Sequence, residues 1–313
     1  MAITDVTVLS PAVRDYYDRL LLMTAYPRLI HTTFAQKRTL PEKSGDTIVF
    51  RRYARLNTVP VPLTDGVTPP GAQLSATDIK ARVDFYGNFV TITNQVELTV
   101  EDRVLNEASR LLAQNLGQTV DEVTRDVLAS MASTVACTNG VNGNTPTELT
   151  KADIDAAVVT LLGQDAEMIS EVVTGTDAFA TAPVRPAFWA YCDSAILDDL
   201  EAVSNFVNSS QYASQQTVLP AEWGATSNVR WLYSSVGSVS SAATPVYDNF
   251  IVGKEAYACV YLGSESGEFY VEQLGSAGSA DPLHQRGTVG WQVPFVCRIL
   301  NDNFCLNLQA THS

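Results

Sequence analysis

The sequence predicts an α+β fold, and three observations predict it. Apolar residues recur at helical spacing along one long stretch, near residues 100–137. A turn-rich stretch with β-branched and aromatic ends, 45–93, precedes that helix and has the form of a hairpin. Beyond residue 150 helical and strand patterns mix, and the chain finishes β-rich.

In chain order, residues 1–35 predict an arm with one short helix. Ser10 and Pro11 supply an N-cap and a proline in the first helical position. Val13, Tyr16, Tyr17 and Leu20 mark one face, and Pro27 ends it. Residues 45–93 predict a long β-hairpin. Thr47–Phe50 is its outgoing strand, and Ala81–Tyr86 through Phe89–Thr93 is its return. The tip between them holds Pro60, Pro62, Gly66, Pro69, Pro70 and Gly71. A hairpin with so long a tip has little core of its own and needs a surface to rest on.

The long helix opens on Thr99-x-x-Asp102, which has the form of a capping box. Val104, Ala108, Leu111, Leu112, Leu116, Val120, Val123, Val127 and Met131 then form one stripe, and Asn139-Gly140 ends it. At 1.5 Å per residue such a helix spans roughly 55 Å. Its flanks lack the charged register of a coiled coil. Thr150-x-x-Asp153 caps a second helix with Ile154, Val158, Leu161 and Leu162, and Pro186–Trp189 begins another that reaches about Leu200. Strands are expected at Val229–Ser234, Val246–Val252, Tyr257–Leu262 and Phe269–Leu274, with a small-residue surface loop near Ser234–Ala243. Thr288–Leu308 alternates apolar and polar residues and predicts a long antiparallel pair.

Only 17% of the 313 residues are charged while 46% are hydrophobic. That is below the usual quarter, and it points to surface hidden in a large core or against neighbouring copies. No apolar run is long enough to span a membrane, and Met1-Ala-Ile-Thr-Asp5 does not begin a secretory signal. The cysteines Cys137, Cys192, Cys259, Cys297 and Cys305 are odd in number and scattered, so a reducing compartment fits them better than a disulfide framework. The net charge of −14 is unevenly distributed. Residues 36–90 carry eight basic against five acidic side chains, residues 1–35 balance, and the remainder therefore holds −17. A basic segment on an acidic body fits either a loop folded on its own body or one laid across another copy. In the second arrangement Arg51, Arg52, Arg55 and Arg82 are the candidate inter-subunit cations. Glu101, Asp102 and Glu107, at the positive end of the long helix, are their candidate partners.

Catalytic chemistry is sparse. His31, His284 and His312 lie far apart, and no metal-ligand spacing, phosphate loop or nucleophile elbow occurs. Asp193, Asp198, Asp199 and Glu201 form the one carboxylate cluster, and a solvated helix face accounts for it better than an acid/base pair. Neither an enzyme nor a cofactor is expected. The basic segment has no recognition helix or stacking platform, so sequence-specific nucleic-acid binding is not expected either.

Three stretches carry a resemblance that covers nearly the whole chain. The first is Phe34-Ala-Gln-x-Arg38-x-Leu40-Pro41 with Gly45-Asp46-Thr47-x-x-Phe50-x-Arg52. The second is Leu219-Pro-Ala-Glu222-Trp-Gly224 with Val229-Arg230. The third is Asp281-Pro-Leu-x-Gln285-Arg-Gly287-Thr-Val-Gly290-Trp291 with Ile299-Leu-Asn301. In this order they resemble the major capsid protein family of tailed bacteriophages typified by podophage N-four, which has the HK-ninety-seven-type fold. Trp223 stands where that family has isoleucine, and Gln292 where it has lysine.

The resemblance implies an N-terminal arm at 1–44 and an extended loop at 45–93. It implies a peripheral domain with its spine helix at 94–149, an axial domain at 150–260 and a β-rich return to the peripheral domain at 261–313. It implies self-assembly of hexamers and pentamers into an icosahedral virion capsid enclosing double-stranded DNA, made in the host bacterial cytoplasm. A separate scaffolding protein, a portal protein and possible decoration proteins are the implied partners, with no membrane. An acidic wall that does not grip its contents suits packed DNA. Lys43 and Lys80 are the only lysines in or beside the hairpin and match no crosslinking partner, so no covalent crosslink is expected. The rival expectations are an encapsulin-like protein nanocompartment and a soluble hydrolase using the aspartate cluster.

Overall fold

The computed structural model describes residues 29–56, 62, 65–68, 71–94, 104–138, 145–171, 183–212, 218–240, 244–263, 267–272, 283 and 285–312. The first half of the chain holds β1 (Gln36–Leu40), β2 (Thr47–Tyr53), β3 (Ala76–Arg82), β4 (Asp84–Thr93), α1 (Val104–Ala129), β5 (Thr134–Ala136), α2 (Lys151–Gly163) and β6 (Ile169–Glu171). The second half holds β7 (Pro183–Asp193), α3 (Leu197–Ala202), β8 (Val207–Asn208), β9 (Glu222–Thr226), β10 (Val229–Ser234), β11 (Val239–Ser240) and β12 (Val246–Val252). It ends with β13 (Tyr257–Leu262), β14 (Glu268–Glu272), β15 (Arg286–Ile299) and β16 (Cys305–Thr311).

Three sheets organise these elements. One runs β1-β13-β15-β14, with β4 also paired to β15; a second runs β5-β16-β12-β7-β10-β9-β8, with β11 on β12 and β6 on β7. The third is the two-stranded ribbon β2–β3. Helix α1 lies along β15. Its buried residues Leu112, Val120 and Leu128 share one apolar cluster with Val289, Trp291, Val293 and Phe295, which alternate along that strand. A second cluster lies between α2 and the nine-stranded sheet, with Ile154, Leu161, Phe188, Trp231 and Leu308 fully buried. Each such side chain contributes about 1.5–3 kcal/mol on leaving water. The ribbon has only a small apolar foot, where Ile48 and Phe50 meet Leu40, Val83 and Val260.

Several sequence expectations hold. Thr150 caps α2, accepting from the backbone of Asp153, and the strands expected at 229–234, 246–252 and 257–262 are β10, β12 and β13. Others are corrected. The long helix stops at Ala129 rather than near residue 137, because the β-branched pair Thr134-Val135 joins β16 as a parallel strand. Leu111 on its predicted stripe is exposed.

The helix expected from Pro186 to Leu200 is mostly strand. β7 occupies Pro183–Asp193, and Ala187–Cys192 are buried on both faces between β10 and β12. A continuous apolar run of that kind has no period to distinguish the two. The hairpin's return strand is β3, starting at Ala76, while β4 leaves the ribbon to pair with β15 over ten residues. Thr288–Leu308 is not one antiparallel pair, since a turn at Asn301–Phe304 carries the chain from β15 in one sheet to β16 in the other. The small-residue loop contains β11. The short helix of residues 1–28, the Thr99–Asp102 capping box and Asn139-Gly140 fall outside the described residues.

Candidate functional site

The ribbon is where the sequence placed its candidate cations, and its register decides what they meet. In β2–β3, Arg51 lies directly opposite Asp78, and its guanidinium donates to both carboxylate oxygens, at 2.8 and 3.1 Å. Arg82 donates to Asp46 at 2.9 Å, and Arg55 donates to Asp165 on the body at 2.6 Å. Arg52 donates to the Asn301 side-chain carbonyl at 2.5 Å. All four arginines are therefore on the ribbon or its edge, with partners in the same chain, and all are exposed. Arg38, Arg51, Arg52 and Arg55 line a cleft of about 670 Å³ between the ribbon and the body, with Asp165, Asn301 and Glu255 among its other walls. Of the candidate acids, Glu107 is held by Arg110 one turn along α1, while Glu101 and Asp102 lie outside the described residues.

The Thr47 hydroxyl, with Arg82 behind it, holds the Asp46 carboxyl below its ordinary 3.8, and the Arg51 guanidinium does the same for Asp78. Depressed carboxylates favour the paired ribbon above their ordinary range and lose that effect as pH falls through the folded value. The ribbon is thus expected to hold unchanged from about pH 8 to 5 and to loosen below about 3.8. Amide protection of residues 47–53 and 76–82 across that range checks this, and loosening already between pH 7 and 5 contradicts it.

The residues of the quoted motifs do structural work that sequence reasoning missed. Glu222 on β9 is fully buried and takes two hydrogen bonds from Arg230 on β10, at 2.6 and 2.5 Å. The same carboxylate accepts from the Tyr212 hydroxyl at 3.0 Å and the Leu219 backbone at 3.2 Å, and the guanidinium lies 4.4 Å over the Trp189 ring. Gly224 is needed there because a Cβ would come within 2.5 Å of the Val207 carbonyl. Trp291 donates its indole N–H to Asn115 on α1 at 3.2 Å, which pins β15 to the helix. Asn301 caps the turn between the sheets and receives Arg52.

His31 is buried in a polar network. Its backbone N–H and Nδ1 meet the two oxygens of Asp121 on α1, at 2.8 and 2.7 Å. Its carbonyl accepts from the Tyr257 hydroxyl at 2.5 Å, and the Tyr257 and Tyr191 hydroxyls are 2.8 Å apart. The aspartate cluster does not converge. Asp193 receives the N–H groups of Ala195 and Gly237, Asp199 meets His312 at 2.8 Å, and Glu201 receives Asn208.

A family model described as phage capsid protein matches residues 76–300. The fold is similar to the capsid of Ralstonia phage GP4, at TM-score 0.73 and 13% identity over 100% of this chain and 99% of that one. It is similar to the head structure of Helicobacter pylori bacteriophage KHP40, at TM-score 0.68 and 13% identity over 100% and 98%. The capsid asymmetric unit of cyanophage Pam1 matches at TM-score 0.67 and 15% identity over 99% of both chains. No curated protein sequence matches the chain.

Proposed function

The chain belongs to the phage capsid protein family, and on that premise we propose that its copies close, as hexamers and pentamers, into an icosahedral shell around the double-stranded DNA of a tailed phage. It is a structural major capsid protein with the HK-ninety-seven-type fold. The observation that carries the assembly is the β2–β3 ribbon. Its foot is small, while Val49, Tyr53, Leu56 and Leu74 on its outer side and tip are exposed. A two-stranded ribbon is marginal alone, and a neighbouring copy supplies the missing surface.

The division into arm (1–44), extended loop (45–93), peripheral domain with spine helix (94–149), axial domain (150–260) and return (261–313) is part of this proposal. The separate ribbon and the two larger sheets support it, although β4 sits with β15 rather than in the ribbon, and β5 and β16 sit with the axial strands. A separate scaffolding protein, a portal and a decoration protein are the partners such a shell calls for, the host cytoplasm is where it is made, and no enzymatic step is assigned to the chain. Arg51, Arg52, Arg55 and Arg82 exchange or share their partners within the chain with carboxylates of a neighbour, Glu101, Asp102 and Glu107 among them. Each exposed pair is worth about 0–1 kcal/mol, so the effect is cumulative over a shell.

Electron microscopy of the expressed protein, alone and with its scaffolding protein, tests the assembly: closed shells are expected, and a strictly monomeric protein under all conditions overturns it. Read the same way, Arg51→Glu with Arg52→Glu is expected to lower shell yield severalfold without unfolding the chain. Adding Glu101→Arg and Asp102→Arg is expected to restore part of it. Unchanged yield and salt dependence would remove the arginines from the contact.

A further inference from the structure

Strands β13 and β15 pair antiparallel, and their register sets Cys259 directly opposite Cys297. Hydrogen bonding in such a ladder alternates from one residue pair to the next. At the end of this one the Leu300 N–H donates to the Ala256 carbonyl at 2.9 Å. Followed back along the register, 258 with 298 and 260 with 296 are then the hydrogen-bonded pairs, and Cys259 with Cys297 is a non-hydrogen-bonded pair. That parity matters, because Cα atoms of a non-hydrogen-bonded pair stand only about 4.5 Å apart and their side chains lie closest. A disulfide spans Cα separations of about 4.4–6.8 Å, so the pair fits at the short end of that range. Both side chains belong to the apolar cluster under α1, on one face of the sheet. The Thr124 hydroxyl of α1 lies 3.9 Å from the Cys259 Sγ, and the Cys297 thiol shares a hydrogen bond with Cys259. The other cysteines have no such mate: Cys192 stands opposite Tyr233, Cys305 opposite Val252, and Cys137 lies just beyond the end of β5.

We propose that Cys259 and Cys297 are a thiol-oxidation site, which a disulfide oxidant such as oxidised glutathione converts into a cross-strand staple between β13 and β15. Either cysteine, on losing its proton, attacks one sulfur of the oxidant, whose S–S bond breaks and releases one glutathione thiolate. The second cysteine loses its proton and attacks the protein sulfur of that mixed disulfide. The Cys259–Cys297 bond forms and the second glutathione is expelled. Two electrons pass from the pair to the oxidant, and the two protons end on the two released glutathiones. The folded interior holds this reaction back. Both thiols are buried, and the hydrogen bond to Cys259 together with burial keeps the Cys297 thiol well above its ordinary range. A thiol is a far poorer nucleophile than a thiolate, and a mixed disulfide with a tripeptide has no room beneath α1. The bond therefore forms while α1 is lifted from the sheet, during folding or in a local opening, and the native register closes around it afterwards. A bond at the short end of the range is correspondingly easy to reduce, so the staple is reversible. It joins strands of one chain and needs no second copy.

Peptide mapping tests it on the full chain. The unfolded protein is refolded in mixtures of reduced and oxidised glutathione, and free thiols are alkylated before digestion with trypsin. Cleavage after Lys254, Arg286 and Arg298 places the two cysteines in separate peptides, 255–286 and 287–298. These are expected to be joined in most chains at the oxidising end of the series, with Cys137, Cys192 and Cys305 alkylated. Dithiothreitol should separate them, and exposure of the already folded chain to the same mixture should join them far more slowly. Where refolding is inefficient, expression in bacterial cells with an oxidising cytoplasm provides the same map. The oxidised chain should also unfold several degrees above the reduced one, because the bond closes a long loop in the unfolded chain. A natively folded chain that keeps both thiols free under the most oxidising mixture overturns the proposal. Joining of these two peptides no more often than of the other cysteines does the same. A midpoint unchanged or lowered by the bond would show that the native register does not accommodate it, and the staple would be lost.

Discussion

Replacing Glu222 with alanine is expected to destabilise the free chain by about 3–5 kcal/mol, a large part of the total stability of a domain. The carboxylate is fully buried and the Arg230 side chain only 5% exposed, so removal of one partner leaves an uncompensated charge in the interior. Arg230→Ala is expected to cost about as much, because the carboxylate left behind loses its buried cation and, among the described residues, keeps the neutral Tyr212 hydroxyl and Leu219 N–H. The pair as a whole is a different matter. Desolvation of two ions offsets most of their attraction, so Glu222→Met with Arg230→Met should cost well under the sum of the single changes. Denaturant unfolding of the three variants provides the measurement. Additive single effects, each below about 1 kcal/mol, would show that the pair is not a buried clasp.

The strong coupling at that pair matters for a shell because of where it sits. Glu222 and Arg230 bridge the β9–β10 hairpin across its bulge, where the register shifts at Trp231–Leu232, and Arg230 also covers Trp189 on β7. A loosened clasp frees the β8–β9 edge of the nine-stranded sheet, so a subunit that still folds would present a misplaced edge to its neighbours.

What the sequence made legible follows from how local each signal is. Helix α1 was legible because its apolar stripe repeats over 26 residues, and α2 because Thr150 and Asp153 stand at capping distance. The basic ribbon was legible from charge counting. The partners of its arginines were not, because the pairing of Arg51 with Asp78 depends on a strand register that becomes known only when β3, not β4, is its mate. β7 was misassigned because a strand buried on both faces has no alternation to display. Glu222 and Arg230 belong to one motif stretch, yet nothing in their spacing says that a bulged hairpin brings them face to face in the interior.

His31 shows the same limit at a single residue. As a lone histidine it carried no signal beyond the lack of a metal-ligand partner, and the structure gives it a structural role at the junction of α1 with the strands around it. Asp121→Ala is accordingly expected to cost about 2–6 kcal/mol, since two buried groups of His31 lose their acceptor and each unsatisfied group costs about 1–3 kcal/mol. Asp121→Asn retains the volume and one acceptor and should cost roughly half as much. Asp126→Ala, five residues along the same helix, removes an exposed partner of Arg125 and should change stability by no more than about 1 kcal/mol. The loss at Asp121 should also be local in its onset. With the His31 backbone released, the Tyr257 hydroxyl loses its acceptor and Phe34 its stack on Trp189, so residues 30–35 should open before the sheets do. Hydrogen exchange on the free chain separates the two levels. Early exchange confined to 30–35 in Asp121→Ala is the expected pattern, and a variant that matches the unmodified chain in both stability and exchange would show that this network does not tie that segment to the body.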